Sequence, residues 1–406
     1  MTMHPPLSPM LDRLRESATI GMTRRARELK EAGRDVLVIS GGEPDFDTPG
    51  HIKKAAVDAI AAGQTKYTAT GGTNELKQAV ARKFKRENGL DVPPGGVVIG
   101  TGAKQLIFNA LLATVASGDE VIIPSPSWVS YPDIVELLDG RPVLLECSRA
   151  DGFKLTPARL RAAITRRTRW LILNSPCNPS GAVYSAAELK GLAEVLLDFP
   201  HVMVMSDDIY EHIVFDDNAF ATISAVEPRL ADRTLIVNGV SKAHCMTGWR
   251  IGYSAGPVWL AQAMVTLQGQ ETNGPSSISQ AAAVAALDGP QDHLEANRIA
   301  YLRRRDLAVR CINAIDGLSC DPPQGTFYVY VDVSGLIGRH TPAGKTLETD
   351  RDVADYLLEE ASVALVPGTG FNASPFVRLC FAYSDDIVAE ACARMASACS
   401  RLRTER

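Results

Sequence analysis

The stretch VVIGTGAKQLIFNALLATVASGDEVIIPSP, residues 97–126, contains the pattern that decides the fold. The apolar run at 97–100 predicts a buried strand, the amphipathic segment after Gly102 predicts a helix, and the run at 120–123 predicts a second strand. Parallel strands need a helical crossover and are buried on both faces. The stretch therefore predicts one β-α-β unit of a parallel sheet.

The same alternation continues downstream and predicts an α/β fold. Further apolar runs are RWLILN at 169–174, VMVM at 202–205 and TLIVN at 234–238, with longer segments between them. This order indicates a three-layer sandwich, in which a mainly parallel central sheet has helices on both faces. We expect the sandwich to form a large domain of residues 47–297.

A second, smaller α+β domain is predicted after that point. A long polar helical pattern at about 290–316 leads into the apolar runs GTFYVYVDVSG, VALVPGTGF and FVRLCFAYS, which a final helical pattern follows. The opening segment contains one helical pattern and one strand pattern. We therefore assign residues 1–46 and 298–406 to a small, discontinuous domain.

Composition excludes several classes of protein. The chain has 406 residues, 46% of them hydrophobic, and no apolar stretch approaches the roughly 20 residues of a membrane span. A net charge of −5 disfavours nucleic acid as a partner, and we interpret the basic cluster Arg303–Arg305 as a solvated helix face. Eight cysteines without a CxxC pair are interpreted as small core residues. We expect a cytoplasmic protein that binds no metal.

Polar residues follow several of the predicted strands. WLILN runs into SPCNPSG, VMVM into SDDIYE, and TLIVN into GVSK. Ligands of open α/β sheets bind at the carboxyl ends of the strands. A single lysine after a strand is usually a surface residue, but several polar strand ends in one sheet predict a functional site.

The glycine-rich turn in VVIGTGAKQ has two interpretations. A strand, a glycine turn and a helix together form a site where free backbone N–H groups and the helix dipole hold a phosphate. A dinucleotide fingerprint is disfavoured because the third glycine is missing after Gly100 and Gly102, where Gln105 follows, and the P-loop pattern is absent. The turn is either a cup for a single phosphate or only a shaped turn.

Lys242 follows the buried strand TLIVN, and its surroundings indicate covalent chemistry. Burial and a nearby cation such as Arg250 both lower the pKa of a lysine, and a neutral amine can form a Schiff base. An aldehyde cofactor that carries a phosphate accounts for the lysine and the glycine cup together. Pyridoxal phosphate is such a cofactor, and its ring nitrogen needs an acidic partner, for which Asp207 and Asp208 are candidates.

Seven motifs, in order along the chain, resemble those of class I aminotransferases, which are fold type I pyridoxal phosphate enzymes. They are GGEPDFDTP, KYTATGGTNELKQA, NSPCNPSGAVY, SDDIYEHI, SKAHCMTGWRIGY, VPGTGF and VRLCFA. The likeness covers nearly the whole chain. The opening SATIGMTRRARELK is similar to that of the bacterial branch that holds aspartate and prephenate aminotransferases.

The resemblance implies a role toward the cofactor for each matched residue. Lys242 is then the Schiff-base lysine and the general base that later moves the substrate proton. Asp207 pairs with the pyridine nitrogen, Asn178 and Tyr210 bond the phenolic oxygen, and Trp128 stacks on the ring. Lys242, Asp207 and Tyr210 are the expected catalytic residues.

The resemblance also implies how the phosphate is held and how the chain assembles. Arg250, the backbone at Gly102 and Ala103, and the side chain of Lys104 would bind the phosphate. Tyr67 would reach the phosphate of the neighbouring subunit, which implies a homodimer with shared active sites.

Substrate binding is expected at a second set of matched positions. Arg378 in VRLCFA matches the arginine whose guanidinium grips the α-carboxylate through two parallel hydrogen bonds. The backbone of Gly42 would touch the same carboxylate, with Trp128 and Asn178 beside it. Lys104 would reach the distal carboxylate of an acidic substrate.

The implied activity is amino transfer by a ping-pong mechanism. The donor is an L-amino acid, with aspartate or glutamate favoured, and the acceptor is a 2-oxo acid such as 2-oxoglutarate. Alternatives that stay open are an aromatic, prephenate-like or specialised amino acid as substrate, and a pyridoxal phosphate lyase that performs β-elimination.

Two positions depart from the family pattern or have no interpretation. Glu271 stands where the family commonly has serine, and a carboxylate near a phosphate would repel it. Either Glu271 points elsewhere or the substrate pocket is altered. His244, two residues after Lys242, is interpreted as a packed histidine rather than a catalytic one.

Overall fold

The structure is a computed structural model that describes residues 8–13 and 18–404. The strands in this part of the chain are β1 Leu37–Val38, β2 Val97–Gly100, β3 Glu120–Ser125, β4 Arg141–Glu146, β5 Thr168–Asn174, β6 Met203–Asp207, β7 Thr234–Gly239, β8 Gly252–Ala255, β9 Tyr328–Asp332, β10 Val363–Ala364, β11 Val366–Pro367 and β12 Phe376–Cys380. The α helices are α1 Ala18–Glu31, α2 Gly50–Ala61, α3 Asn74–Asn88, α4 Ala103–Thr114, α5 Ser130–Leu137, α6 Pro157–Ala163, α7 Ala186–Leu197, α8 Ile223–Val226, α9 Val258–Gly269, α10 Ser277–Asp288, α11 Asp292–Asn313, α12 Asp350–Glu360 and α13 Asp385–Cys399.

Seven strands form the central sheet, in the order β2-β8-β7-β6-β5-β3-β4. The pairs among β3, β4, β5, β6 and β7 are parallel, whereas β8 runs antiparallel to both of its neighbours. The predicted α/β fold with a mainly parallel sheet is confirmed.

Helices cover both faces of this sheet because successive side chains of its strands point to opposite sides. In β6, Met203 and Met205 belong to the apolar cluster under α4, α5 and α9. Val204, between them, belongs to the cluster under α6 and α7. The arrangement is the three-layer sandwich that the apolar runs predicted.

Two small sheets lie in the other part of the chain. β1 pairs with β10, and β11, β12 and β9 form an antiparallel sheet. Met22, Val36 and Ile39 share one apolar cluster with buried residues of the 301–399 region. The segment before the large sheet thus packs against the last quarter of the chain, while the domain boundaries at 46/47 and 297/298 stay predictions.

The cluster Arg303–Arg305 corrects one sequence interpretation. Arg304 and Arg305 are only 5% and 6% exposed, so the cluster as a whole is not a solvated face. Arg304 makes two hydrogen bonds to Asp45, at 2.7 and 2.9 Å, and Arg305 pairs with Asp216. Carboxylates from distant loops make this burial possible, and sequence neighbours do not reveal them.

Two further compositional expectations bear on the fold. The eight cysteines are free thiols and seven of them are buried, in keeping with their interpretation as core residues. Within the described ranges, none of the helices combines the length and the apolar character that crossing a membrane requires.

Candidate active site

The carboxyl ends of β5 and β6 lie side by side and place the first polar groups of the site. Asn174 and Asp207, the last residues of these strands, are register partners. Lys242 follows the end of β7, the next strand of the sheet. All three lie at one cavity of about 800 Å³, where ligands of open α/β sheets bind.

The cavity brings together ten of the predicted site residues. Those that line it are Gly42, Ala103, Lys104, Trp128, Asn178, Asp207, Tyr210, Lys242, Arg250 and Arg378. Gly102 adjoins it through Arg250. Tyr67 does not line it, and its side chain is 92% exposed.

The Lys242 amine is held by a hydrogen bond and has a lowered pKa. Its Nζ donates a hydrogen bond to the backbone oxygen of Gly42 at 2.7 Å. Burial, with a smaller contribution from the nearby cations Arg378 and Arg250, lowers the pKa of Lys242 to about 8. About a tenth of the amine is therefore neutral at pH 7, and the neutral form is the nucleophile for an aldehyde.

Asp207 is a buried carboxyl, 5% exposed, at the end of β6. Burial raises its pKa to about 6, against the effect of a hydrogen bond from the Tyr131 hydroxyl. That hydroxyl lies 2.5 Å from Oδ2, and the Ile209 N–H lies 3.3 Å from Oδ1. The amide of Asn174 donates to the Asp207 backbone oxygen at 2.9 Å, which fixes the strand end.

Arg378 is a buried cation at the centre of β12. One Nη donates to Asn178 Oδ1 at 2.8 Å and the other to the Ser40 backbone oxygen at 2.7 Å. The guanidinium lies 4.3 Å from the ring centroid of Tyr328 and 4.8 Å from that of Phe371.

Arg378 Nε is buried without a hydrogen-bond partner. Among the described residues no carboxylate forms an ion pair with this guanidinium. Because an unpaired buried charge is costly, Arg378 is arranged for an anionic ligand that enters the cavity.

The glycine turn at the start of α4 lies against the side chain of Arg250. Gly102 and the first N–H groups of α4 are called the Gly102 cradle below. Gly102 has a φ of 83°, and a Cβ built on it would lie 2.3 Å from Arg250 Nη2. Ala103 and Lys104 begin α4, so their N–H groups belong to the helix N-terminus that favours anions. The cup interpretation therefore fits the structure better than a turn that only shapes the chain.

These features fit the cofactor that the family resemblance implies. The amine of Lys242 and the carboxyl of Asp207 face one cavity from adjacent strand ends, and the Gly102 cradle beside Arg250 suits a phosphate. The orphaned Nε of Arg378 suits a substrate carboxylate.

Several residues at the site were missed by sequence reasoning. Tyr131 contacts Asp207, Asn174 contacts both Asp207 and Asn178, and the Tyr328 hydroxyl lies 2.9 Å from that of Tyr210. Asn174 ends a predicted strand, so its position was a usable signal. Tyr131 and Tyr328 bond residues that are distant in sequence, so no sequence pattern indicated that they lie at the site.

Glu271 and His244, the two unusual positions of the sequence, do not line the cavity. Glu271 accepts a hydrogen bond from Gln105 Nε2 at 3.0 Å, and Gln105 in turn accepts from the Thr101 N–H at 2.6 Å. His244 is 2% exposed, and its Nδ1 lies 3.0 Å from His293 Nε2. Glu271 is thus linked to the glycine turn only through Gln105, and His244 is packed against another histidine.

Comparisons with known proteins agree on one family. The family model "Aminotransferase class I and II" matches residues 34–395. An aspartate/prephenate aminotransferase of Cereibacter sphaeroides is 55% identical over 396 residues, which cover 98% of this chain and 99% of that protein. An aspartate aminotransferase of Rhizobium meliloti is 55% identical over 378 residues, 93% of this chain and 92% of that protein.

Solved structures give the same result. The crystal structure of the aspartate aminotransferase from Rhizobium meliloti has a TM-score of 0.96 and 52% identity, and covers 98% of this chain and 100% of that chain. The aspartate aminotransferase from Thermus thermophilus with maleate has a TM-score of 0.90 and 41% identity, over 97% of this chain and 100% of that chain.

Proposed function

This chain belongs to the aminotransferase class I and II family, and we propose that it moves an amino group from aspartate or glutamate to a 2-oxo acid such as 2-oxoglutarate. It is a pyridoxal-phosphate-dependent aminotransferase, as the motif resemblance predicted. The observation that carries the proposal is Arg378, a buried cation that faces the same cavity as the Lys242 amine and has a free Nε.

The residues of this chain divide the work of holding the cofactor. When bound, pyridoxal phosphate supplies an aldehyde that takes up the amino group and a ring that accepts electrons from the substrate Cα. Asp207 would pair with the ring nitrogen, and Asn178 and Tyr210 would bond the phenolic oxygen. Trp128 would stack on the ring. The Lys242 amine, once released, would move the proton from the substrate Cα.

The phosphate and the substrate would both lie in this cavity. Arg250, Gly102, Ala103 and Lys104 would hold the phosphate. Arg378 would bind the α-carboxylate through two parallel hydrogen bonds. Two parallel hydrogen bonds would fix the orientation of the substrate.

Acidic substrates are favoured because Lys104 can supply a positive charge for the distal carboxylate. Lys104 lines the same cavity as Arg378, so a dicarboxylate can pair with both. The solved structure of the Thermus thermophilus aspartate aminotransferase is described as a structure with maleate, which is a dicarboxylate. A second candidate acceptor is prephenate, since the name of the Cereibacter sphaeroides relative includes it.

A panel of donors and acceptors tests the substrate proposal. For Lys104→Ala at saturating cofactor we expect kcat/KM to fall about tenfold or more further with aspartate than with alanine, because loss of the phosphate contact affects both donors and only aspartate also loses a contact to its distal carboxylate. Lys54→Ala, which removes an exposed lysine paired with Asp58, serves as the control. Equal losses for both donors would refute the role of Lys104, and release of pyruvate and ammonia from a β-substituted donor would indicate a lyase instead.

We also propose a cytoplasmic homodimer in which Tyr67 completes the site of the neighbouring subunit. The 92% exposure of Tyr67, outside its own cavity, supports this arrangement. Val57 and Ile60, which are 62% and 53% exposed on α2, add apolar surface nearby in the sequence. The free cysteines are in keeping with a reducing compartment.

A further inference from the structure

Tyr131 is a buried neighbour of Asp207 that belongs to no motif of the sequence analysis. It lies in the first turn of α5 and is 1% exposed. Its hydroxyl donates to Asp207 Oδ2 at 2.5 Å. Its ring meets the edge of Trp128, with centroids 5.2 Å apart and planes at 83°. The ring is therefore fixed by packing, and the hydroxyl has one direction in which to donate.

The surroundings of Asp207 leave Tyr131 as its strongest hydrogen-bond donor. The described titratable groups that interact electrostatically with this carboxyl are the Tyr131 hydroxyl from α5, the Lys242 amine after β7, the Cys177 thiol after β5, and Asp208 and Tyr210 from its own segment. Of these, only the Tyr131 side chain makes a hydrogen bond to the carboxylate among the described residues. The other contact, from the Ile209 N–H, is longer at 3.3 Å.

Burial disfavours the ionised form of Asp207, which is the form that would pair with a protonated pyridine nitrogen. Removal from water raises its pKa to about 6, whereas the hydrogen bond from Tyr131 lowers it. A hydrogen bond to the ionised form of a carboxyl favours that form. Without it, a proton shared between the carboxyl and a pyridine nitrogen shifts toward the carboxyl, and the ring loses the positive charge that draws electrons.

We propose that Tyr131 is a positioning residue, which keeps Asp207 ionised and oriented toward the ring nitrogen of pyridoxal phosphate. This inference rests on the proposed role of Asp207. It adds that the carboxyl alone is insufficient, because the buried site requires a neutral donor from a different element. Tyr131 itself need not touch the cofactor or the substrate.

The test is the pH dependence of pyridoxal phosphate binding by the full-length Tyr131→Phe variant. The wild-type dissociation constant should rise as pH falls through about 6, where Asp207 takes up a proton. In Tyr131→Phe this rise should begin about one to two pH units higher, since a charge-assisted hydrogen bond is lost. We expect kcat to fall about tenfold, with KM changed by less than about threefold.

A matched control separates this role from packing. Tyr356→Phe removes another buried tyrosine hydroxyl, which donates to the Ala398 backbone oxygen at 2.8 Å in a different part of the fold. This variant should keep the wild-type pH profile. Replacement of Tyr131 by 3-fluorotyrosine retains the ring and strengthens the donor, so it should move the profile to lower pH and provides a second test if the phenylalanine variant fails to fold.

The outcomes distinguish this inference from the proposed function. Superimposable pH profiles for the wild type, Tyr131→Phe and the fluorotyrosine protein would overturn the inference. Asp207→Asn is measured in parallel. If Asp207→Asn loses affinity while the Tyr131 proteins do not, only the inference fails. If Asp207→Asn binds the cofactor as the wild type does, the proposed role of Asp207 fails, and the inference fails with it.

Discussion

Gly102 occupies a position that no other residue type fits without moving Arg250. Its φ of 83° lies in the left-handed region, and a Cβ there would lie 2.3 Å from Arg250 Nη2. The missing side chain lets the guanidinium lie against the start of α4. Gly102 thus links the turn geometry to the phosphate that we propose for this site.

Gly102→Ala should weaken pyridoxal phosphate binding by about ten- to a hundredfold, because displacement of Arg250 removes a charge-assisted hydrogen bond. Gly63→Ala is the matched control, since Gly63 has a φ of 72° and no atom within 4 Å of a built Cβ. Both variants pay a backbone cost of roughly 1 to 2 kcal/mol. Equal cofactor affinity in the two variants, measured by fluorescence titration, would contradict a role of Gly102 in phosphate binding.

Lys242 should make attachment of the cofactor depend on pH. Only the neutral amine attacks an aldehyde, and burial lowers the pKa of Lys242 to about 8. The attachment rate should therefore rise roughly tenfold per pH unit below pH 8 and level off above it. Stopped-flow absorbance between pH 7 and pH 10 measures this rate, at roughly constant Asp207 charge. A rate that keeps rising to pH 10 would show an ordinary lysine.

At the scale of elements, α11 shows that packing decides which arginines of a basic cluster are exposed and which are buried. Arg303 has a side chain that is 64% exposed, whereas that of Arg304, the next residue, is 6% exposed. Arg304 binds Asp45 and lies 4.7 Å from the Phe46 ring centroid. The helix therefore presents one arginine to solvent and uses another to hold the loop that follows Gly42.

Arg304→Ala should lower the free energy of unfolding by about 2 to 3 kcal/mol, because it strands the partly buried Asp45 carboxylate. Arg303→Ala removes an exposed pair with Asp385 and should cost less than about 1 kcal/mol. Urea-induced unfolding of the two variants measures the difference. Similar losses would mean that the Arg304 pair contributes no more than a surface contact.

The same scale shows what the sequence can and cannot predict. Apolar periodicity located the central strands, and the rule for strand ends predicted that Asp207 and Lys242 would meet. Tyr131 was missed because its hydrogen bond depends on how α5 packs against β6, 76 residues away in sequence. The burial of Arg304 was missed for the same reason, since its carboxylate partner is 259 residues away.

At the scale of the whole molecule, the cavity lies between the large sheet and the last part of the chain. Arg378 in β12 donates to Asn178, which follows β5. Arg378, the proposed substrate-binding cation, thus contacts the segment proposed to hold the phenolic oxygen. Any movement of one part against the other would change this contact. The assignment of the two parts as domains stays a proposal.

The proposed shared active sites should allow two defective variants to restore activity in a mixed dimer. In a mixed dimer of Lys242→Ala and Tyr67→Ala subunits, one site carries both defects and the other carries neither. Refolding the two variants together at equal amounts should give about a quarter of the wild-type activity at limiting cofactor. Each variant refolded alone is the control. No gain over these controls would contradict sites that are completed by Tyr67 of the partner subunit.

The central claim is that the Lys242 amine binds pyridoxal phosphate covalently. Borohydride reduction of the cofactor-supplemented protein, followed by peptide mass spectrometry, tests this claim most directly. We expect loss of the visible absorption band and a reduced cofactor on the peptide that contains Lys242, with the band absent in Lys242→Ala and present in Lys104→Ala. A protein without a visible band, or a label on a different lysine, would contradict it.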